Sequence, residues 1–208
     1  MAEFFIFFRN RFSQKTSLLQ NDWELESFSP HIKTLTSPFL LVGDTKEQLR
    51  NWKKNPSHSF EENFYRCDSF QKTLKKLERL RLDALVPIPQ KKLRSLTLGG
   101  GPALRLSALL SPYLKIPIRD HLQEKRKNSP SQAKQRSFHR YLNPKEFTWT
   151  GESLVGRKIL LIDDFWTSGQ TLRSAARTLH LEGSDEIHGY VLGFKPFQRQ
   201  EELPQKSS

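Results

Sequence analysis

The hydrophobic pattern between Lys158 and Phe194 changes period twice. Ile159–Ile162 is an unbroken branched apolar run, the signature of a strand covered on both faces in a parallel sheet. Leu172, Ala175, Ala176 and Leu179 then recur at helical spacing, and Gly183 stands where that helix should end. Residues Asp185–Phe194, containing IHGYVLGF, return to a strand-like run. The segment predicts a βαβ unit with parallel strands and a right-handed crossover.

A second strand–loop–helix unit precedes it. Ala84–Ile88 reads as a strand ending in Pro87-Ile88-Pro89, and a loop runs to Gly99-Gly100-Gly101. Pro102 suits a first helical turn, Ala103, Leu106 and Leu110 share a face, and Ser111-Pro112 is expected to stop the helix. A short strand is expected at Lys115–Ile118. Earlier in the chain the pattern weakens to a strand candidate at Phe4–Phe8 and a helix carrying Phe70, Leu74, Leu77 and Arg81. Lys72, Lys75, Lys76 and Arg79 surround that helix, which reads as a solvated basic face in preference to a nucleic-acid surface. The expected organisation is an α/β parallel-sheet domain over residues 83–197, carrying a basic loop at 121–150. A small, partly helical N-terminal lobe over 1–82 precedes it, and a disordered tail over 198–208 follows.

Composition narrows this picture without choosing a function. With 208 residues, 36% hydrophobic and 27% charged, the chain has enough material for one good core. No apolar run approaches the length of a membrane span, and MAEFFIFFRNRF makes a poor signal peptide because an acid precedes its apolar patch, so a cytoplasmic location is expected. A single cysteine, Cys67, excludes an intramolecular disulfide framework and a multi-cysteine zinc site, and it is assigned no role. His121, His139, His180 and His188 have no metal-ligand spacing. The net charge of +12 favours polyanionic partners, among them nucleic acid, acidic membrane surfaces and phosphorylated substrates.

The candidate chemistry lies where the apolar run ends. Asp163 and Asp164 follow it, at the carboxyl end of a strand, where open α/β sheets bind ligands. Thr167-Ser168-Gly169-Gln170-Thr171 supplies hydroxyls, backbone N–H groups and a glycine ahead of a helix N-terminus, the makings of a phosphate site. A strand end followed by an ordinary N-cap would share some of these residues. The full order of apolar strand, two acids, two variable positions and a hydroxyl-glycine turn favours the phosphate. Phe165 and Trp166 beside the turn are read either as stacking platforms for a base or as packing under the sheet.

This ordered set resembles the phosphoribosyl pyrophosphate (PRPP) signature of type I phosphoribosyltransferases. From Leu85 to Phe194 the chain is also similar to the ComF family, competence-associated proteins with a phosphoribosyltransferase domain. Pro87-Ile88-Pro89, Gly99, Ala103, Ser129-Pro130-Ser131-Gln132, Arg140, Asn143 and Phe147 fall in that family's order. Leu98-Gly99-Gly100-Gly101 stands where the family carries Arg-Gly-Phe-Asn, so one cation is missing there, and the zinc ribbon found in many members is excluded by the lone cysteine.

The resemblance implies a type I phosphoribosyltransferase-like, Rossmann-like fold that binds PRPP. Thr167, Ser168, Gly169, Gln170 and Thr171 would hold its 5′-phosphate, while Asp163 and Asp164 would hold the ribose hydroxyls, directly or through Mg²⁺. Lys91, Lys92 and Arg94 would meet the pyrophosphate, and Arg126 would act from a loop closing over the leaving group. The expected reaction moves phosphoribosyl to a nitrogenous acceptor with pyrophosphate release, linked to DNA uptake. The alternative is a non-catalytic PRPP or nucleotide module engaging DNA or DNA-uptake proteins.

Overall fold

A computed structural model describes residues 29–54, 58–90, 100–125 and 145–195. The chain opens with β1 (Thr34–Thr36) and β2 (Phe39–Leu40), then α1 (Gly43–Lys54), α2 (His58–Tyr65) and α3 (Asp68–Glu78). Next come β3 (Ala84–Pro87), α4 (Pro102–Leu114), β4 (Leu122–Glu124) and β5 (Phe147–Trp149), followed by β6 (Lys158–Trp166), α5 (Gln170–Leu181) and β7 (Glu186–Phe194). The strand candidate Phe4–Phe8 and the tail 198–208 lie outside the described residues.

One five-stranded sheet organises these elements. Its order is β1-β7-β6-β3, with β2 also on β7, and every pair is parallel. Ile159, Leu160, Leu161 and Ile162 are fully buried at its centre, as a both-face apolar run requires. The expected βαβ unit is present as β6, α5 and β7, and Gly183 ends its helix with a φ of +99°.

β6 outruns its neighbour. The β3 ladder stops at Pro87 opposite Ile162, with one further bond from the Ile88 N–H to the Ile162 carbonyl at 2.8 Å. Asp163 and Asp164 are the next residues, so both acids emerge where one side of β6 has lost its partner strand. β7 continues beside β6 to Trp166 opposite Phe194.

Two expectations near Pro112 change. The helix does not stop at Ser111-Pro112 but runs to Leu114, where Lys115 closes it in the left-handed conformation with a φ of 57°. Pro112 gives up the one i→i−4 bond its missing N–H would make, and the buried face of Ala103, Leu106 and Leu110 holds the helix in place around it. The strand expected at Lys115–Ile118 shrinks to a single bridge between Leu85 and Ile118, because Pro117 has no N–H to give to a ladder.

Residues expected in an N-terminal lobe supply two strands to the main sheet and join its core. Leu49 and Trp52 of α1 and Phe70, Leu74 and Leu77 of α3 are buried in the same cluster as the β6 residues. The helix read from Phe70, Leu74 and Leu77 is thus α3, which packs on α4. Among the described residues no helix is long and apolar enough to cross a membrane.

Candidate functional site

The turn between β6 and α5 is shaped by one contact. Gly169 is the N-cap of α5 with a φ of 70°, a region that L side chains avoid. A Cβ placed there would lie 2.2 Å from the Trp166 ring, so the glycine is required by packing as well as by backbone. Trp166 is buried and stacks on Phe194 with ring centroids 6.4 Å apart. Trp166 is thus a packing residue, between Phe194 of the sheet and Gly169 of the turn. The Arg173 guanidinium donates to the Ser168 carbonyl at 2.8 Å, pinning the turn from the first coil of the helix. Thr167 is exposed, and Ser168, Gln170 and Thr171 are half-buried around the start of α5.

The two acids differ in their surroundings. Asp164 is buried, and both its oxygens are engaged: Oδ1 accepts the Phe165 N–H at 2.7 Å, while Oδ2 pairs with Lys53 Nζ and accepts from Gln90 Nε2 at 3.3 Å. Asp163 is half-buried, and its Oδ1 accepts the Asp164 N–H at 2.8 Å. Burial, reinforced by the Asp164 charge, pushes the Asp163 carboxyl up to about 7, against the pull of the Asp164 N–H, Lys53 and Lys145. As folded, the pair does not fit a magnesium ion shared by both acids, because an ammonium already sits on Asp164.

Lys53 comes from α1 and crosses to the sheet beside Phe165, with its ammonium 5.3 Å from that ring's centroid. It also lines a 380 Å³ cavity with Arg50, Lys54, Gln90, Gly101 and Arg105, at the N-terminus of α4. Arg105 is partly committed elsewhere, lying 4.9 Å over the Trp52 ring and 4.0 Å from Glu61. Gly101, the N-cap of α4, packs so tightly on Gln90 that a Cβ would come within 2.9 Å of its side chain.

The segment expected as a basic loop over 121–150 is a two-stranded ribbon at its described ends. β4 and β5 pair antiparallel at its two ends, and Lys145 Nζ bonds Glu124 Oε2 at 3.0 Å between them. Ser174 Oγ of α5 donates to the Lys145 carbonyl, and Thr178 Oγ1 reaches the Phe147 carbonyl at 3.4 Å. The ribbon is therefore fastened to α5, the helix that opens at the Thr167–Thr171 turn. Arg126 itself, and Lys91, Lys92 and Arg94, lie outside the described residues.

The acids and the turn are thus brought together as the sequence implies, whereas Lys53, Gln90, Arg50, Lys54 and Arg105 were not anticipated. The only local signal for Lys53 and Lys54 is their place in the last turn of α1, where cations are common for reasons of helix dipole alone. Nothing in the sequence connects them to Asp164, more than a hundred residues away.

Comparison with known proteins bears on this site. The family model described as "Phosphoribosyl transferase domain" matches residues 99–206, just over half of the chain. Competence protein ComFC of Bacillus subtilis (strain 168) is 35% identical over 121 residues, covering 58% of this chain and 48% of the relative. The chain thus spans about half the length of that relative. Among solved structures, a purine phosphoribosyltransferase from Pyrococcus horikoshii Ot3 is similar with a TM-score of 0.43 and 14% identity, over 64% of this chain and 90% of its own. A hypothetical protein from Neisseria gonorrhoeae with bound ppGpp is similar with a TM-score of 0.42 and 16% identity, over 72% of this chain and 76% of its own.

Proposed function

Because the chain belongs to the phosphoribosyl transferase domain family, we propose that it binds PRPP across Asp163 and Asp164 and passes the phosphoribosyl group to a nitrogenous acceptor. The observation that carries this reading is the glycine turn seated on Trp166, opening α5 directly after the two acids. The 5′-phosphate lies in the turn, where backbone N–H groups and the helix dipole favour an anion. The ribose hydroxyls reach Asp163, and the pyrophosphate faces the cationic cavity beside Lys53.

In the reaction, the bond from the anomeric carbon to the pyrophosphate oxygen breaks and both electrons leave with pyrophosphate. The acceptor nitrogen's lone pair forms the new bond, and the nitrogen's proton passes to solvent. The carbon gains oxocarbenium character, so positioning and charge stabilisation do more than a protein nucleophile would. Support for cation placement comes from Arg50, Lys53 and Lys54, which restore positive charge next to the glycine run that lacks the family's arginine.

Calorimetric titration with PRPP tests the reading. The wild type should bind, and an Asp163→Ala/Asp164→Ala variant should not. Release of pyrophosphate on adding a panel of purine and pyrimidine bases then identifies the acceptor. Absence of PRPP binding by folded wild type would overturn the proposal.

A second reading, a non-catalytic PRPP module that engages DNA, draws support from the +12 charge and the likeness to a competence protein. It predicts DNA affinity that falls steeply with salt, as counterion release demands, and PRPP binding without turnover.

A further inference from the structure

We propose that Lys53 is the resident counter-cation of this site: its ammonium neutralises Asp164 and bridges to the ligand's phosphates, so that PRPP binds without magnesium. The inference rests on the PRPP reading and concerns how the acids tolerate a polyanion beside them.

Two adjacent carboxylates repel phosphate, and a divalent ion is the usual remedy for such a clash. Here Asp164 is already matched. Its side chain is only 8% exposed, its Oδ2 pairs with Lys53 Nζ, and Gln90 supports the same oxygen. An ammonium has three donors. Lys53 keeps 30% of its side chain exposed and lines the cavity that also holds Arg50 and Lys54, so it borders the buried carboxylate on one side and open space on the other. The same ammonium also lies over the Phe165 ring, 5.3 Å from its centroid. For a metal to bind Asp164 Oδ2 it must first expel this lysine, losing an ion pair and a cation–π contact together. Arg50 and Lys54 have no partner among the described residues and add positive field at the same cavity.

The test is PRPP titration by calorimetry in EDTA and in magnesium, on wild type, Lys53→Met and Lys53→Arg. Wild-type affinity should agree within about threefold between the two media, whereas Lys53→Met should lose about tenfold or more in EDTA and recover in magnesium. Lys53→Arg, which keeps the cation, should follow wild type. Wild-type binding in magnesium but not in EDTA would overturn the inference while leaving the PRPP reading intact. Binding in neither medium would overturn both. Should Lys53→Met fail to fold, the wild-type comparison and Lys53→Arg still decide the matter.

Discussion

The two flanks of the acidic pair are built in opposite ways. On one side, Thr167–Thr171 form a turn from consecutive residues, held by Gly169 against the Trp166 ring and by Arg173 on the Ser168 carbonyl. On the other, Lys53 from α1 and Gln90 from beyond β3 meet Asp164 through long side chains, and Arg105 of α4 lines the cavity beside them. The first flank is backbone and fixed in shape. The second is charge on flexible stems, and shape matters less to it than sign. A substitution on the first flank should therefore act as a switch, and one on the second as a graded change that salt or a competing cation can imitate.

The largest effect is expected at Gly169. Gly169→Ala forces a Cβ into the Trp166 ring at a positive φ and should cost about 3 kcal/mol of stability, with PRPP binding lost. Denaturant unfolding and calorimetry on the same preparation measure both. If the variant unfolds and binds like wild type, the turn is not the rigid flank described above.

The ion pair should show an asymmetry. Lys53→Met leaves a carboxylate that is 8% exposed without its cation, and the expected cost is about 3 kcal/mol. Asp164→Asn strands an ammonium that can swing to solvent, so about 1 kcal/mol is expected. Equal losses in urea unfolding would mean that the lysine is as trapped as the acid.

Two carboxylates at opposite ends of the sheet should shape the pH profile in opposite senses. Asp163 is raised to about 7 in the fold from an ordinary value near 3.8, so the folded state holds its proton longer and stability falls as pH rises through that window. Glu186, at the start of β7, is held down to about 2 by its hydrogen bond with His188 and by Lys33 and Lys158. Its contribution is present above about 4.5 and lost as pH falls toward 2. Asp163→Asn should flatten the first limb and Glu186→Gln the second, read as urea midpoints across pH.

The smallest effect belongs to the exposed cations. Arg50→Ser with Lys54→Ser should weaken PRPP binding by about threefold at low ionic strength and less at high salt. A large loss that salt does not touch would make these residues direct, desolvated ligands.

The division between the flanks also explains what the sequence disclosed. Strand, acids, turn and helix succeed one another from Lys158 to Leu181, so hydrophobic period and turn chemistry were enough to find them. β1 and β2 hold three and two residues, too few for a period to emerge, and they exist because β7 offers them an edge. For the same reason, the expected lobe over 1–82 conceals a helix whose Lys53 reaches the site. A basic pair at the end of a helix looks alike whether it meets water or a buried carboxylate. Pro112 and Pro117 misled in a more local way: the packed helix tolerates the one bond Pro112 removes, whereas the missing N–H of Pro117 leaves its segment a single bridge.

The central claim is that the two flanks hold the two ends of one ligand, and displacement of ribose 5-phosphate by PRPP tests it most directly. Ribose 5-phosphate should bind wild type weakly and be competed away by PRPP. Gly169→Ala should abolish that binding, whereas Arg50→Ser/Lys54→Ser should leave it unchanged and weaken only PRPP. Ribose 5-phosphate that stays bound as PRPP saturates the protein, or that depends on Arg50 and Lys54 rather than on Gly169, would contradict the account.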